Sequence, residues 1–187
     1  MSKIPTFHTP RLILRELVET DALAYKKHFV DYNVVRTLTN LIPWPYPENG
    51  VLEYIRTYVL PYQGSDKWVW AITLKESPTE LIGAVDLWRD GKPENRGFWL
   101  GHKYWGKGYM TEAVEPVIHY AFDELGFQKL TFANAVGNPR SARVKEKTGA
   151  TLIRHEPARF VDPTLTEHEI YELTKSAWKE FKKARTK

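Results

Sequence analysis

One segment constrains this chain more than any other: Leu100-Gly101-His102-Lys103-Tyr104-Trp105-Gly106-Lys107-Gly108-Tyr109-Met110-Thr111-Glu112-Ala113. A short apolar stretch leads into it, and three glycines sit close together inside it. Out of it runs an apolar stripe: Met110, Ala113, Val114, Val117, Ile118, Ala121, Phe122 and Leu125 fall at i, i+3, i+4, i+7, i+8, i+11, i+12 and i+15. That period belongs to one face of a helix buried in a core. Gly126 suits the position just past the helix end, and Pro116 predicts a kink. The segment is therefore a strand, a glycine loop and a helix in succession. Glycines let a backbone turn tightly and approach a ligand closely. A helix start presents free N–H groups and the positive end of its dipole, which together form an anion site.

Gly101, four residues, Gly106 and Lys107 come close to the P-loop of a nucleotide hydrolase. That motif needs Ser or Thr next, to hold Mg²⁺, and here Gly108 follows. A metal-free pyrophosphate held by backbone amides fits better. Taken alone, the segment also fits a strand-to-helix turn with no ligand.

Strands are expected at 11–17, 68–74, 81–88, 97–101, 129–136, 150–160 and 169–174. A helix capped by Thr20-Asp21 should run to about Val30, and another should span 47–58. Asn138–Lys147 reads as a short helix closed by Gly149, and a basic helix ends the chain. Pro43-Trp44-Pro45-Tyr46-Pro47 cannot be a helix interior and reads as a rigid loop. Asp90-Gly91-Lys92-Pro93 is turn chemistry. An antiparallel meander followed by a β-α-β unit implies an α/β (α+β) fold, a mixed and largely antiparallel sheet of about seven strands with helices on both faces.

The 187 residues suit a single domain over 1–187. Hydrophobic residues at 42% and charged residues at 27% are globular values, which argues against disorder. Absent cysteine excludes disulfides, thiolate metal sites and cysteine nucleophiles. The six histidines, at 8, 28, 102, 119, 155 and 168, form no ligand-like cluster, so no metal is expected. No apolar run reaches the length of a membrane span and the N-terminus has no signal-like core, so the expected location is cytoplasmic, off the membrane. The net charge of +4 is concentrated at one end: KSAWKEFKKARTK, residues 175–187, holds six basic groups and one acid, which is +5, and leaves −1 for the rest. Nucleic-acid or ribosome contact through that helix is the lesser reading and a solvated basic face the greater.

A second element decides what the glycine loop is for. The strand after the amphipathic helix ends in Ala135-Val136-Gly137, followed by Asn138-Pro139-Arg140-Ser141-Ala142-Arg143-Val144-Lys145-Glu146-Lys147-Thr148-Gly149-Ala150. With both elements in order, the chain resembles the GCN5-related N-acetyltransferases, and among them the RimJ/RimL-like branch. Thr9-Pro10-Arg11-Leu12-Ile13-Leu14-Arg15, the Trp44-Pro45 loop, Leu81-Ile82-Gly83, Gly97-Phe98-Trp99-Leu100 and Tyr171-Glu172-Leu173 before Trp178 extend the resemblance over most of the chain.

That resemblance implies a GNAT fold with a splay between two central strands and acetyl-CoA as co-substrate. It implies pantetheine on the main chain near Trp99 and Leu100. It implies a pyrophosphate wrapped by the backbone of Trp105, Gly106, Lys107, Gly108, Tyr109 and Met110. The family pattern there is Gln or Arg, two residues, Gly, one residue, then Gly or Ala; at Trp105, Gly108 and Met110 only the central glycine is kept. Asn138 matches an asparagine that contacts the cofactor or a structural water. Ser141 matches a serine near the thioester sulfur, a candidate acid, and a first-turn serine bonded to backbone would look alike. Lys145 stands where many members carry a catalytic tyrosine. The base is open among Glu94, Asp86, water and none, because the aligned position holds Asn95 and one strand step turns a side chain to the other face.

The implied reaction is direct attack by an amine on the thioester in a ternary complex. The acceptor is a protein N-terminus, ribosomal-protein-like, or alternatively a small amine such as a polyamine, amino sugar or antibiotic. A non-catalytic acyl-CoA sensor is the third reading. For Trp44, Tyr46, Trp88 and Phe160 packing in the core is the first reading, and lining the acceptor cleft the second. A homodimer is a possible assembly on general frequency alone.

Overall fold

The computed structural model describes residues 3–89 and 94–185. The turn expected at Asp90-Gly91-Lys92-Pro93 lies outside them. Five antiparallel strands form one sheet in chain order: β1 (Phe7–His8), β2 (Leu12–Glu16), β3 (Lys67–Leu74), β4 (Ser77–Trp88) and β5 (Arg96–Leu100). β3 lies at its centre and is buried from Trp68 through Thr73, as a strand covered on both faces must be. Its alternation divides the interior. Trp68, Trp70 and Ile72 join Leu12, Leu14, Val85 and Leu87 in one core, while Val69 and Ala71 join Leu17, Leu81, Ala84 and Trp99 in the other.

Helix α1 (Ala22–Phe29), the short α2 (Tyr32–Val35) and α3 (Gly50–Tyr54) cover the second core, and α4 (Tyr109–Asp123) covers the first. α4 runs on through Pro116. A proline in a helix interior costs about 3 kcal/mol. Val114, Val117, Ile118 and Phe122 are fully buried, and at about 1.5–3 kcal/mol each they outweigh it.

The rest of the chain builds a second, three-stranded sheet. β8 (Glu167–Thr174) pairs antiparallel with β6 (Lys129–Ala135) on one side and β7 (Thr151–Pro157) on the other. α5 (Pro139–Glu146) follows β6, and α6 (Lys175–Arg185) ends the described chain. Among the described residues, one backbone junction links the edges of the two sheets. Asn95 N donates to Thr131 O at 2.9 Å, and Thr131 N donates to the Asn95 side-chain oxygen at 3.1 Å. Beyond it, no ladder joins β5 to β6 among the described residues. The expected splay is thus a gap between two sheets, with helices on both faces.

Some boundaries differ from expectation. β1 is a two-residue addition, too short to carry a pattern. β4 begins at Ser77, because the hairpin pairs Leu74 with Ser77 although Ser-Pro-Thr-Glu carries no apolar alternation. The helix expected at 47–58 is α3 followed by a π-helical turn at Ile55–Val59. α6 docks through buried Trp178, and its Lys182 and Arg185 pair with Glu115 while Lys175 pairs with Asp123.

Candidate active site

A cleft of about 630 Å³ follows the gap between the sheets. One end is built from backbone. Gly106 and Gly108 hold φ of +75° and +78°, a region in which side chains are strained. Gly108 is the N-cap of α4. A Cβ on Gly106 would meet nothing within 4 Å, so the space above it is open to a ligand. A bracket from the start of β2 fixes this loop. Arg11 Nε donates to Glu112 at 2.7 Å, its Nη1 to Lys107 O at 2.9 Å, and the Thr9 hydroxyl to Glu112 at 2.6 Å. The Arg11 guanidinium lies 4.5 Å above the Tyr109 ring. Burial pushes the Glu112 carboxyl up, but the bonds from Thr9 and Arg11 outweigh it and hold it below the ordinary range. Trp105 Nε1 donates to Leu100 O at 2.7 Å, and its ring lies 4.2 Å from the Arg140 guanidinium. Arg140, Arg143 and Lys147 give the cleft a basic border on the α5 side.

β5 forms one wall. Gly101 N donates to Ile82 O at 2.8 Å. By the alternation of an antiparallel ladder, Gly97 and Trp99 turn their main-chain groups to β4, and Phe98 and Leu100 turn theirs to the gap.

The other end is built from ionisable side chains. Glu94 lines the cleft beside the Asn95 junction. Burial raises its pKa, against Lys145 and a hydrogen bond from the Ala133 backbone. Burial also raises that of Asp86, against Lys67 and Arg96. The Asp86 carboxylate lies across Gly97, where a Cβ would come within 2.8 Å of Oδ1. Arg96 is 2% exposed and none of its guanidinium nitrogens has a hydrogen-bond partner. It stacks 3.8 Å from the centre of the Phe132 ring, and burial pulls its pKa down to about 9. Lys145, 1% exposed, donates to Ser141 Oγ at 2.8 Å.

Tyr25, Phe29, Tyr54 and Trp99 wall this end, with Tyr25 and Phe29 ring centres 4.6 and 5.0 Å from Trp99. A clasp spans it: Val161 N donates to Leu38 O, Asn40 N to Arg159 O, and Arg36 pairs with Asp162 at 2.7 Å.

The structure brings Glu94, Trp99, Leu100, Trp105, Gly106, Gly108, Tyr109, Met110, Asn138 and Ser141 to this one cleft. Lys107 is not among its lining residues; its carbonyl accepts from Arg11. Asn138 caps α5, accepting from Ser141 N at 3.3 Å and donating to Thr37 Oγ1 at 3.2 Å. Tyr46 and Phe160 line the cleft, the lesser of the two readings for them, and Phe160 is also buried. Trp44 instead packs at a tilt against Tyr32 at the surface, and Trp88 lies against Gly97 on the same face as Asp86, outside the cleft lining. Sequence reasoning missed Arg96, Tyr25 and Tyr54. The available signal for Arg96 was strand alternation, which puts it on one face with Phe98 and Leu100.

Residues 11–151 match the family model described as an acetyltransferase (GNAT) domain. The chain belongs to the GNAT acetyltransferases. The acetyltransferase is 33% identical over 101 residues to YdaF of Bacillus subtilis, a protein named provisionally as a ribosomal N-acetyltransferase; the match spans 52% of this chain and 54% of that one, about half of each. It is 29% identical to the FsC-acetyl coenzyme A-N(2)-transacetylase of Aspergillus fumigatus, over 93% of this chain and 78% of that one. The ribosomal-protein-S5-alanine acetyltransferase of Vibrio fischeri shares its fold, with a TM-score of 0.77 at 17% identity over 94% and 99% of the two chains. The residues present fit acetyl-CoA as co-substrate: an open glycine loop and basic border for its phosphates, and the unpaired edge of β5 for its amide-bearing arm.

Proposed function

We propose that the acetyltransferase moves the acetyl group of acetyl-CoA to a primary amine by direct attack, with both substrates in the cleft together. The observation that carries this is continuity: Gly106 and Gly108 line the same cleft as Asp86 and Glu94. A cofactor on the loop and an amine among the carboxylates would occupy its two ends at once. Backbone N–H groups of Trp105–Met110 and the α4 N-terminus hold the pyrophosphate. The gap-facing main chain of Phe98 and Leu100 binds the pantetheine arm and polarises the thioester carbonyl. Asn138 fixes the start of α5. Glu94 takes the proton of the attacking amine, and burial, by raising its pKa, makes it a stronger base than an exposed carboxylate. Ser141 protonates the leaving sulfur.

The acceptor in this reading is a protein N-terminus. An α-amino group titrates near ~8 and a lysine near ~10.4, so the former reaches its neutral, attacking form with less help. The names of the YdaF and S5-alanine relatives point the same way. A small-molecule amine is the second reading, favoured by the aromatic wall of Tyr25, Phe29, Tyr54 and Trp99 and by the clasp over the acceptor end.

Calorimetric titration with acetyl-CoA, with ATP-Mg as control, is the test, followed by a screen of amines that starts with N-terminal peptides. Micromolar acetyl-CoA binding with ATP-Mg silent, then thiol release with peptides, is the expected result. No acetyl-CoA binding would overturn the reading; turnover with small amines alone would move the acceptor to the second class.

A further inference from the structure

The proposed reaction leaves open where Ser141 obtains the proton it gives to sulfur. Lys145 lies one helical turn further along α5, is 1% exposed, and directs its ammonium at Ser141 Oγ from 2.8 Å. Neither Lys145 nor Arg96 forms an ion pair within 4 Å among the described residues, although Lys145 Nζ and the Arg96 guanidinium carbon lie 5.2 and 5.5 Å from the same Phe98 ring. Two buried cations sharing a hollow without bonded carboxylates are costly to keep, and such groups call for an explanation.

Resting on the acetyl-transfer reading, we infer that Lys145 is a proton reserve for the departing sulfur, acting through Ser141 and refilled from Glu94. The groups facing its ammonium are Arg96 on β5, Glu94 before β5, and Glu169 and Tyr171 on β8, the Tyr171 ring centre 5.7 Å away. Burial and then Arg96 push the Lys145 pKa down, Glu94 and Glu169 push it up, and the lowering wins. Giving up a proton relieves both the burial of charge and the repulsion from Arg96.

The step balances. A C–N bond forms and the C–S bond breaks, with its electron pair leaving on sulfur. Sulfur takes the Ser141 hydroxyl proton as Ser141 takes one from the Lys145 ammonium. The amine nitrogen loses its proton to the Glu94 carboxylate, and the resulting acid recharges Lys145. Amine and thioester become amide and thiol, and the enzyme returns to its starting state. Lys145 is in these terms a positioning residue, because it reaches the reacting atoms only through Ser141.

The test uses the whole protein with CoA as probe. The thiol of bound CoA, followed by thiolate absorbance against pH, should ionise about 1–3 pH units lower than free CoA, because Lys145 takes up its proton through Ser141 and then faces the thiolate as an ammonium. Lys145→Met should abolish that lowering, and Lys145→Arg should keep it. In acetyl transfer, Lys145→Met should lower kcat roughly 100-fold with little change in the acetyl-CoA KM. Lys145→Arg should not restore turnover, because a guanidinium holds its proton. Wild-type kcat should fall as pH rises through the depressed Lys145 pKa, and Lys145→Met should lose that alkaline limb. Lys145→Met should melt no lower than wild type, since it removes a buried cation with no carboxylate partner. A bound thiol that titrates alike in wild type and Lys145→Met, or an unchanged kcat and pH profile, would overturn the inference alone. Wild-type protein that binds no CoA would overturn the acetyl-transfer reading and this one with it.

Discussion

The two ends of the cleft are built from different materials. The loop end uses backbone: Gly106 and Gly108 in left-handed conformations, the start of α4, and a bracket from Thr9, Arg11 and Glu112 that touches the loop from outside. The gap end uses side chains: Asp86, Glu94, Arg96, Ser141 and Lys145, drawn from β4, β5, the approach to β5, and α5. Backbone donors tolerate changes of side chain, so Trp105 and Met110 can depart from the family pattern while the loop keeps its shape. Ionisable side chains in a buried gap tolerate little, because each sets the proton affinity of the others. The loop end should therefore fail through conformation and the gap end through protonation.

The largest effect is expected at the gap. Glu94→Gln keeps shape and removes the base, so kcat should fall roughly 100-fold or more while calorimetry finds acetyl-CoA affinity unchanged. The wild-type rate should rise with pH through the raised Glu94 pKa, because only the carboxylate can accept a proton, and the variant should lose that acid limb. Equal loss of acetyl-CoA affinity would mean that the two ends are not separate. Gly108→Val should act the opposite way. A β-branched residue at φ +78° is strained, by about 1–3 kcal/mol, and the loop must deform to relieve it. Acetyl-CoA affinity should drop by about tenfold or more, with the pH profile of the remaining activity unaltered.

This contrast also explains what could be read in advance. The central strands, α4 and the glycine loop were legible because each rests on local pattern: period 2 around Trp70, period 3.6 from Met110 to Leu125, and glycines where φ is positive. Glu94 was ambiguous for a local reason. Strand alternation sends neighbours to opposite faces, yet Glu94 precedes the first residue of β5, where the junction of Asn95 with Thr131 replaces regular pairing. The Arg96–Phe98–Lys145 hollow was illegible because Arg96 and Lys145 lie 49 positions apart in the chain and meet only in the fold, about the Phe98 ring. Tyr25 and Tyr54 carry no motif that marks them in the sequence, and it is the packing of α1 and α3 on the Trp99 face that brings them to the cleft.

A smaller effect separates function from stability inside the gap. Arg96 is buried without a hydrogen-bond partner, so Arg96→Met should be neutral or stabilising, by up to about 3 kcal/mol in thermal unfolding. Its neighbour Lys145 should then hold its proton more tightly, since the repulsion from Arg96 is gone, and the alkaline limb of kcat should move to higher pH. A variant that unfolds at lower temperature would show that Arg96 has a partner in solution which keeps the hollow closed.

The smallest effect belongs to the clasp, outside both ends. The Thr164 hydroxyl and then Arg36 hold the Asp162 pKa down to about 2. A carboxylate depressed in the folded state contributes stability above its unfolded pKa, near ~4, and loses it as pH falls through the folded value. Asp162→Asn should therefore lower stability modestly at neutral pH, the loss kept small because Arg36 is half exposed and screened by solvent, and flatten part of the further loss between about pH 4 and 2. Acid unfolding followed by tryptophan fluorescence would read it. If Asp162→Asn instead changes acceptor KM at neutral pH and leaves acid unfolding alone, the clasp is part of the acceptor site, and the gap end extends to the surface rather than stopping at Trp99.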